Sequence, residues 1–194
     1  MDNAIHHKCD LSRPSDLKIL FSKEQSLKCT DFLINSAAIN YCKPSQDISI
    51  KEWEEVFSVN LTSLFVACQS VLPYMMSKNS GKIVNISSIA GRNKSLVSGL
   101  HYTSSKAAII GLTRQLASEF AAFGININVV CPGQTKTEML SSSMNKFQLQ
   151  NLEKAIPQKR VATTIEQSNV ILFLCSELAS YINGAAIDVN GGMF

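Results

Sequence analysis

The chain has 194 residues, 45% hydrophobic and 17% charged, with 18 basic and 15 acidic side chains and a net charge of +3. That balance excludes a disordered chain and a charge-built nucleic-acid surface. The length suits one domain with a sizeable core.

Residues 15 to 29 read as a helix on Leu17, Ile19, Leu20 and Phe21, and residues 31 to 35 as a short strand. Pro44 and Ser45 mark a loop over 41 to 47. Ser49 and Glu52 have capping-box spacing and open a long helix through Trp53, Val56, Phe57, Val59 and Leu61 to about Leu72. Pro73, which lacks an amide hydrogen, is expected to bend or interrupt it. A buried strand follows over 83 to 87, then an irregular stretch over 91 to 101. A helix rich in Ala, Ile and Leu runs from Tyr102 to Phe120, and Gly124 stops it. A strand over 125 to 130 ends at Pro132 and Gly133. Residues 136 to 160 are polar and weakly periodic, and are expected to form a mobile substrate lid containing short helices. Thr163 and Glu166 make a second capping box, opening a helix through Leu174; the last strand is 185 to 189. Strands alternating with helices imply an α/β fold with a parallel sheet covered on both faces.

Six scattered cysteines form no C-x-x-C pair, so no metal site is expected and small buried thiols in a reducing compartment are. No run of eighteen apolar residues signals a membrane span, and the start of the chain has no apolar signal core. The expected location is cytoplasmic, with no nucleic-acid or membrane partner.

Tyr102 and Lys106 lie four residues apart, on one helix face. A cation there favours the ionised form of a nearby phenol, and a phenol brought towards neutrality can exchange protons in catalysis. Ser88 stands at the C-terminal end of the preceding strand, where open α/β folds place their chemistry. Alone, a Tyr-x-x-x-Lys pair is commonplace on solvated faces.

The run Asn85 to Gly91, then Tyr102 and Lys106, then Val130-Cys131-Pro132-Gly133, closely resembles the short-chain dehydrogenase/reductase family in order and spacing over residues 7 to 194. The resemblance implies a Rossmann-like doubly wound parallel sheet and an NAD(P)-dependent oxidoreductase interconverting carbonyl and alcohol. It gives catalytic roles to Ser88 on the carbonyl, Tyr102 as proton donor, Lys106 on the nicotinamide ribose and Asn60 in the proton relay. It further implies cofactor contacts from Asp10, Asn35, Ser36, Ala37, Tyr102, Lys106, Pro132, Gly133, Thr135 and Thr137, with NADP or NAD as cofactor, a small-molecule substrate and a homo-oligomer, dimer or tetramer. Within the family, Ile156 to Arg160 and Tyr181 to Phe194 are most similar to 3-oxoacyl-(acyl-carrier-protein) reductases.

Two departures stand out. The first glycine is Gly81, so the family's opening strand, glycine-rich turn and helix have no counterpart here; on this reading the chain is an N-terminally truncated, partial NAD(P)-binding domain over 1–194, lacking the first two strands and their helices. Residues 7 to 12 then match the end of the family's third strand, and Phe32-Leu33-Ile34 becomes an unprotected sheet edge. Asn35-Ser36-Ala37-Ala38 replaces the family's Asn-Asn-Ala-Gly, which loses a glycine that allows close backbone approach. The glycine-rich turn grips the pyrophosphate, so its loss weakens cofactor binding. The alternative reading is a non-catalytic remnant that at most binds or assembles with a full-length relative.

Overall fold

A computed structural model describes residues 4–95, 97–137, 140 and 145–194. Helices α1 (Pro14–Lys23) and α2 (Gln25–Lys28) precede strand β1 (Phe32–Asn35). Helix α3 (Ile50–Phe57) passes through a π-turn (Ser58–Thr62) into α4 (Ser63–Lys78), which leads to β2 (Gly81–Ile86). A 3-10 turn (Ile89–Gly91) and helix α5 (Leu100–Phe120) follow, then β3 (Ile125–Pro132). The described chain closes with α6 (Lys146–Ala155), α7 (Thr164–Cys175) and β4 (Ala186–Val189).

The four strands form one sheet in the order β1-β2-β3-β4, all parallel. Asn35 sits opposite Asn85, and Ile86 opposite Val130. Strand side chains alternate between faces. Ile83, Ile127 and Val129 pack with Val71 and Met75 of α4, Ile109 of α5, and Leu17 and Phe21 of α1. Val84 and Val130 point the other way, against Leu174 of α7 and Ala179. Helices thus cover both faces, as the doubly wound reading requires. The central strands are apolar on both sides because both sides are dry.

Both predicted capping boxes form. Ser49 Oγ accepts from the Glu52 amide at 3.2 Å and Thr163 Oγ1 from the Glu166 amide at 3.3 Å, while each glutamate reaches back to the cap amide. Gly124, at φ 67°, ends the run after α5 as expected; a side chain there would also meet the Asn79 carbonyl at 2.5 Å.

Three local expectations are corrected. The first helix breaks at Glu24 into α1 and α2, Glu24 being extended (φ −101°, ψ 92°). Pro73 does not stop α4, which runs five residues beyond it; buried Val71, Leu72 and Met75 pin the helix on both sides of the proline. The irregularity falls instead at the π-turn. Residues 7 to 10 are not a strand, since no neighbouring strand among the described residues is there to pair with them. Within 136–160 one short helix forms as expected, α6, capped by Asn145; positions 138, 139 and 141–144 lie outside the described residues. The stretch Ile50–Lys78 is long and apolar enough by length and composition to cross a membrane, with mean hydropathy 1.5, but 50% of that window is buried inside the protein, as suits a core helix.

Among the described residues β1 pairs with β2 alone, and its Phe32 and Ile34 are 51% and 43% exposed. An apolar, unpaired edge recruits other chains. Lysine at either position is expected to reduce light scattering of the purified chain at fixed concentration while leaving its melting temperature nearly unchanged; scattering equal to wild type in both variants contradicts edge-driven association.

Candidate active site

The site forms where α5 crosses the C-terminal end of β2. The turn after β2 lies hard against the helix: a Cβ on Gly91 would stand 2.7 Å from both the Lys106 carbonyl oxygen and Ser87 Oγ. Ser87 Oγ donates to that same carbonyl at 2.7 Å. This close approach places Ser88 within hydrogen-bonding reach of the Tyr102 phenol. Ser88 Oγ also accepts from the Ala90 amide at 3.1 Å, which fixes the turn.

Lys106 is 2% exposed; its Nζ donates to the Ile86 carbonyl at 2.8 Å and lies 5.6 Å from the Tyr102 ring centroid. Burial pushes its pKa down to about 8. The same dryness raises the Tyr102 pKa, and the Ser88 hydrogen bond offsets part of the rise. The expectation that Lys106 lowers the phenol is therefore corrected for this state: the ammonium is turned onto a backbone carbonyl, and desolvation of the phenol dominates. Tyr102 stays protonated at neutral pH.

Asn60 lies in the π-turn, a distortion frequent at functional sites. It is 1% exposed, accepts from the Ile39 amide at 2.8 Å, and donates to the Ile39 carbonyl at 3.0 Å and to Ser105 Oγ at 3.1 Å. Ser105 Oγ in turn donates to the Tyr102 carbonyl at 2.8 Å. Both Asn60 amide hydrogens are thus engaged, and the side chain ties the loop after β1 to the first turns of α5.

Asn35 is a strut rather than a free cofactor contact. Its Nδ2 donates to Asn85 Oδ1 at 2.9 Å and to Cys68 Sγ at 3.5 Å; Asn85 Nδ2 donates to Thr113 Oγ1 at 3.0 Å. Ser36 and Ala37 are exposed just past the end of β1. Pro132 and Gly133 end β3, with no room for a side chain on Gly133, whose Cβ would meet Asn190 Cα at 2.7 Å. Thr135 Oγ1 donates to the Gly133 carbonyl and accepts from Gln167, both at 3.2 Å. Thr137 is exposed and accepts from the Leu140 amide at 3.4 Å. These positions and Ser88 follow the C-terminal ends of three adjacent parallel strands. Asp10 stands apart from that row: its carboxylate accepts from the Ser12 amide at 3.0 Å and hydroxyl at 2.7 Å and pairs with Arg13 at 3.3 Å, fastening the turn before α1.

Sequence reasoning missed Ser87, Asn85, Ser105 and Thr113, which build the supports behind the site. The available signal was a polar Asn85 inside an otherwise apolar strand. Among the described residues no cluster of histidine, cysteine and acidic side chains could hold a metal.

The nicotinamide end of a dinucleotide fits these residues. Lys106 Nζ spends one N–H on Ile86, leaving two that could meet ribose hydroxyls. The 194 residues hold no glycine-rich turn for the pyrophosphate.

Asn60→Leu leaves both polar groups of Ile39 without their side-chain partner and is expected to destabilise the fold by about 2 kcal/mol in urea unfolding. A loss near zero contradicts the tether.

A family model described as enoyl-(acyl carrier protein) reductase matches residues 1–194. The chain is 43% identical over 164 residues to a 3-oxoacyl-[acyl-carrier-protein] reductase of Aquifex aeolicus, covering 84% of this chain and 65% of that protein. A 3-oxoacyl-[acyl-carrier protein] reductase from Brucella melitensis with bound NAD superposes at TM-score 0.83 and 30% identity, covering 95% of this chain and 69% of that one. An NADP-bound protein from Beutenbergia cavernae superposes at TM-score 0.89 and 31% identity, covering 95% and 74%. The chain spans about two thirds of the length of such relatives. With every residue inside the family model and 43% identity to a relative over 84% of its own length, the chain belongs to the short-chain dehydrogenase/reductase family.

Proposed function

We propose that residues 1–194 carry the substrate side and nicotinamide side of an NAD(P)-dependent oxidoreductase that interconverts a carbonyl and an alcohol. The carrying observation is the buried Lys106 ammonium 5.6 Å from the ring of Tyr102, whose raised pKa keeps the phenol protonated, with Ser88 at the adjoining strand end. A bound nicotinamide supplies or takes the hydride. As hydride reaches a carbonyl, negative charge grows on oxygen; Ser88 and Tyr102 would place two donors there. Tyr102 would give up its proton, and the nearby cation would stabilise the phenolate left behind. Lys106 and Tyr102 would hold the ribose, with Ser36, Ala37, Pro132, Gly133, Thr135 and Thr137 along the strand ends beside it. Relatives hold either NAD or NADP, and the reading takes both.

The substrate class supported best is a 3-oxoacyl thioester, from the identity to the Aquifex aeolicus reductase. A homo-oligomer is supported by exposed Ile165, Leu172, Phe173 and Phe194 towards the C-terminus. Six free cysteines suit a reducing compartment such as the cytoplasm. A second reading, a non-catalytic partner of a longer relative, is favoured by the absence of a glycine-rich turn from these residues; the positioned Ser88, Tyr102 and Lys106 weigh against it.

Titration of the purified chain with NADH and NADPH, read by cofactor fluorescence, is expected to saturate. Tyr102→Phe is expected to lower 3-oxoacyl reduction by about 100-fold or more, the usual contribution of a general acid, with cofactor binding weaker but still saturable through Lys106. No saturable binding of either cofactor by a folded sample, or equal turnover in the variant, refutes the reading.

A further inference from the structure

The turn that carries Ser88 is locked at its far end by a residue pair the hydride-transfer chemistry does not itself use. Arg92 follows the 3-10 turn directly; its Nε donates to Asp188 Oδ1 and its Nη2 to Asp188 Oδ2, both at 3.1 Å. This is a two-pronged guanidinium–carboxylate contact, geometrically the most demanding ion pair available to side chains. Asp188 lies in β4, opposite Cys131 in the β3–β4 register. Cys131 is fully buried, and Asp188, Arg92 and Lys106 all act on its thiol.

The near end of the turn is anchored by the Ser87 bond to the Lys106 carbonyl and by buried Ala90; its far end is not. The Gly91 amide donates to the Ser88 carbonyl at 2.9 Å and the Arg92 amide to the Ile89 carbonyl at 3.0 Å, but these bonds are internal to the turn. Outward, Gly91 only abuts α5, with no side chain to grip it. A glycine contact permits close approach but does not hold it. Arg92 adds a side-chain bond at that far end, running from the turn to the last strand of the sheet.

We propose that Arg92 and Asp188 are positioning residues that clamp the Ser88 turn against α5, and so keep Ser88 on the Tyr102 phenol. The clamp rests on the proposed reductase reading for its purpose, but not for its existence. Both side chains keep about a third of their surface exposed, at 33% and 28%, so the pair adds little to global stability. Its effect is local: it sets where one hydroxyl stands.

Amide hydrogen exchange tests the clamp without cofactor or turnover. In Arg92→Gln and in Asp188→Asn, the amides of residues 91 and 92 are expected to exchange faster by about tenfold or more, while those of Ile83 and Val84 in β2 stay unchanged and report an intact fold. The swapped pair, Arg92→Asp with Asp188→Arg, is expected to restore protection. In the single variants the Tyr102 titration, followed by NMR of ring-labelled tyrosine, is expected to rise further above the ordinary value, as the phenol loses the Ser88 contact that lowers it. Arg92→Lys keeps the charge without the fork and is expected to fall between. Unchanged exchange at 91 and 92 together with an unmoved Tyr102 in both single variants overturns the clamp. Exchange that responds in a chain without turnover contradicts the reductase reading alone; turnover in a chain whose exchange does not respond contradicts the clamp alone.

Discussion

An ammonium buried against a backbone carbonyl organises this protein. Lys106 Nζ sits on the Ile86 carbonyl, at the C-terminal end of a strand enclosed on both faces. Reaching that position requires α5 to lie tightly over the end of β2, which requires Gly91 to lack a side chain and Ser87 to satisfy the Lys106 carbonyl. Once the helix is there, Tyr102 is one turn back on the same face and Ser88 stands opposite it. The arrangement works against folding at neutral pH. The folded pKa of about 8 lies below the ordinary lysine value of 10.5, so the folded state binds this proton less well; the penalty is full below pH 8 and is relieved as pH rises towards 10.5. Cys68 and Cys131, raised to about 12 and about 11, act oppositely, withdrawing stability as pH rises through and above 9.

Behind the site stands a polar scaffold inside an apolar core. Asn60 joins the loop after β1 to α5 through Ser105, and Asn35, Asn85 and Thr113 join β1, β2 and α5 in a second chain. Satisfied networks of this kind specify one geometry where apolar contacts would tolerate several. The π-turn at Ser58–Thr62 belongs to the same logic, since it sets the Asn60 amide facing the loop backbone.

Much of this was legible in the residues. The strand–helix alternation followed from apolar runs, and the helix starts from Ser49 and Thr163, because capping is a local event with a fixed spacing. Tyr102 and Lys106 were legible as one helix face and Ser88 as a strand end, and the resemblance of the motifs around them joined the three. What escaped was tertiary. Pro73 reads as a stop, yet packing on either side carries α4 past it. Asn35 reads as a cofactor contact until the structure shows it bonded to Asn85. The direction of the Tyr102 shift turned on burial, which no spacing reveals, and the Arg92–Asp188 contact joins positions far apart in the chain.

The account turns on how dry the lysine is. NMR titration of lysines labelled at Cε, with Lys106→Met used to assign the signal, reads that directly. A Lys106 midpoint near 8, well apart from the other lysines, is the predicted result. A midpoint at the ordinary 10.5 would show the ammonium in water, and would contradict the crossing of α5 over β2 on which the site depends.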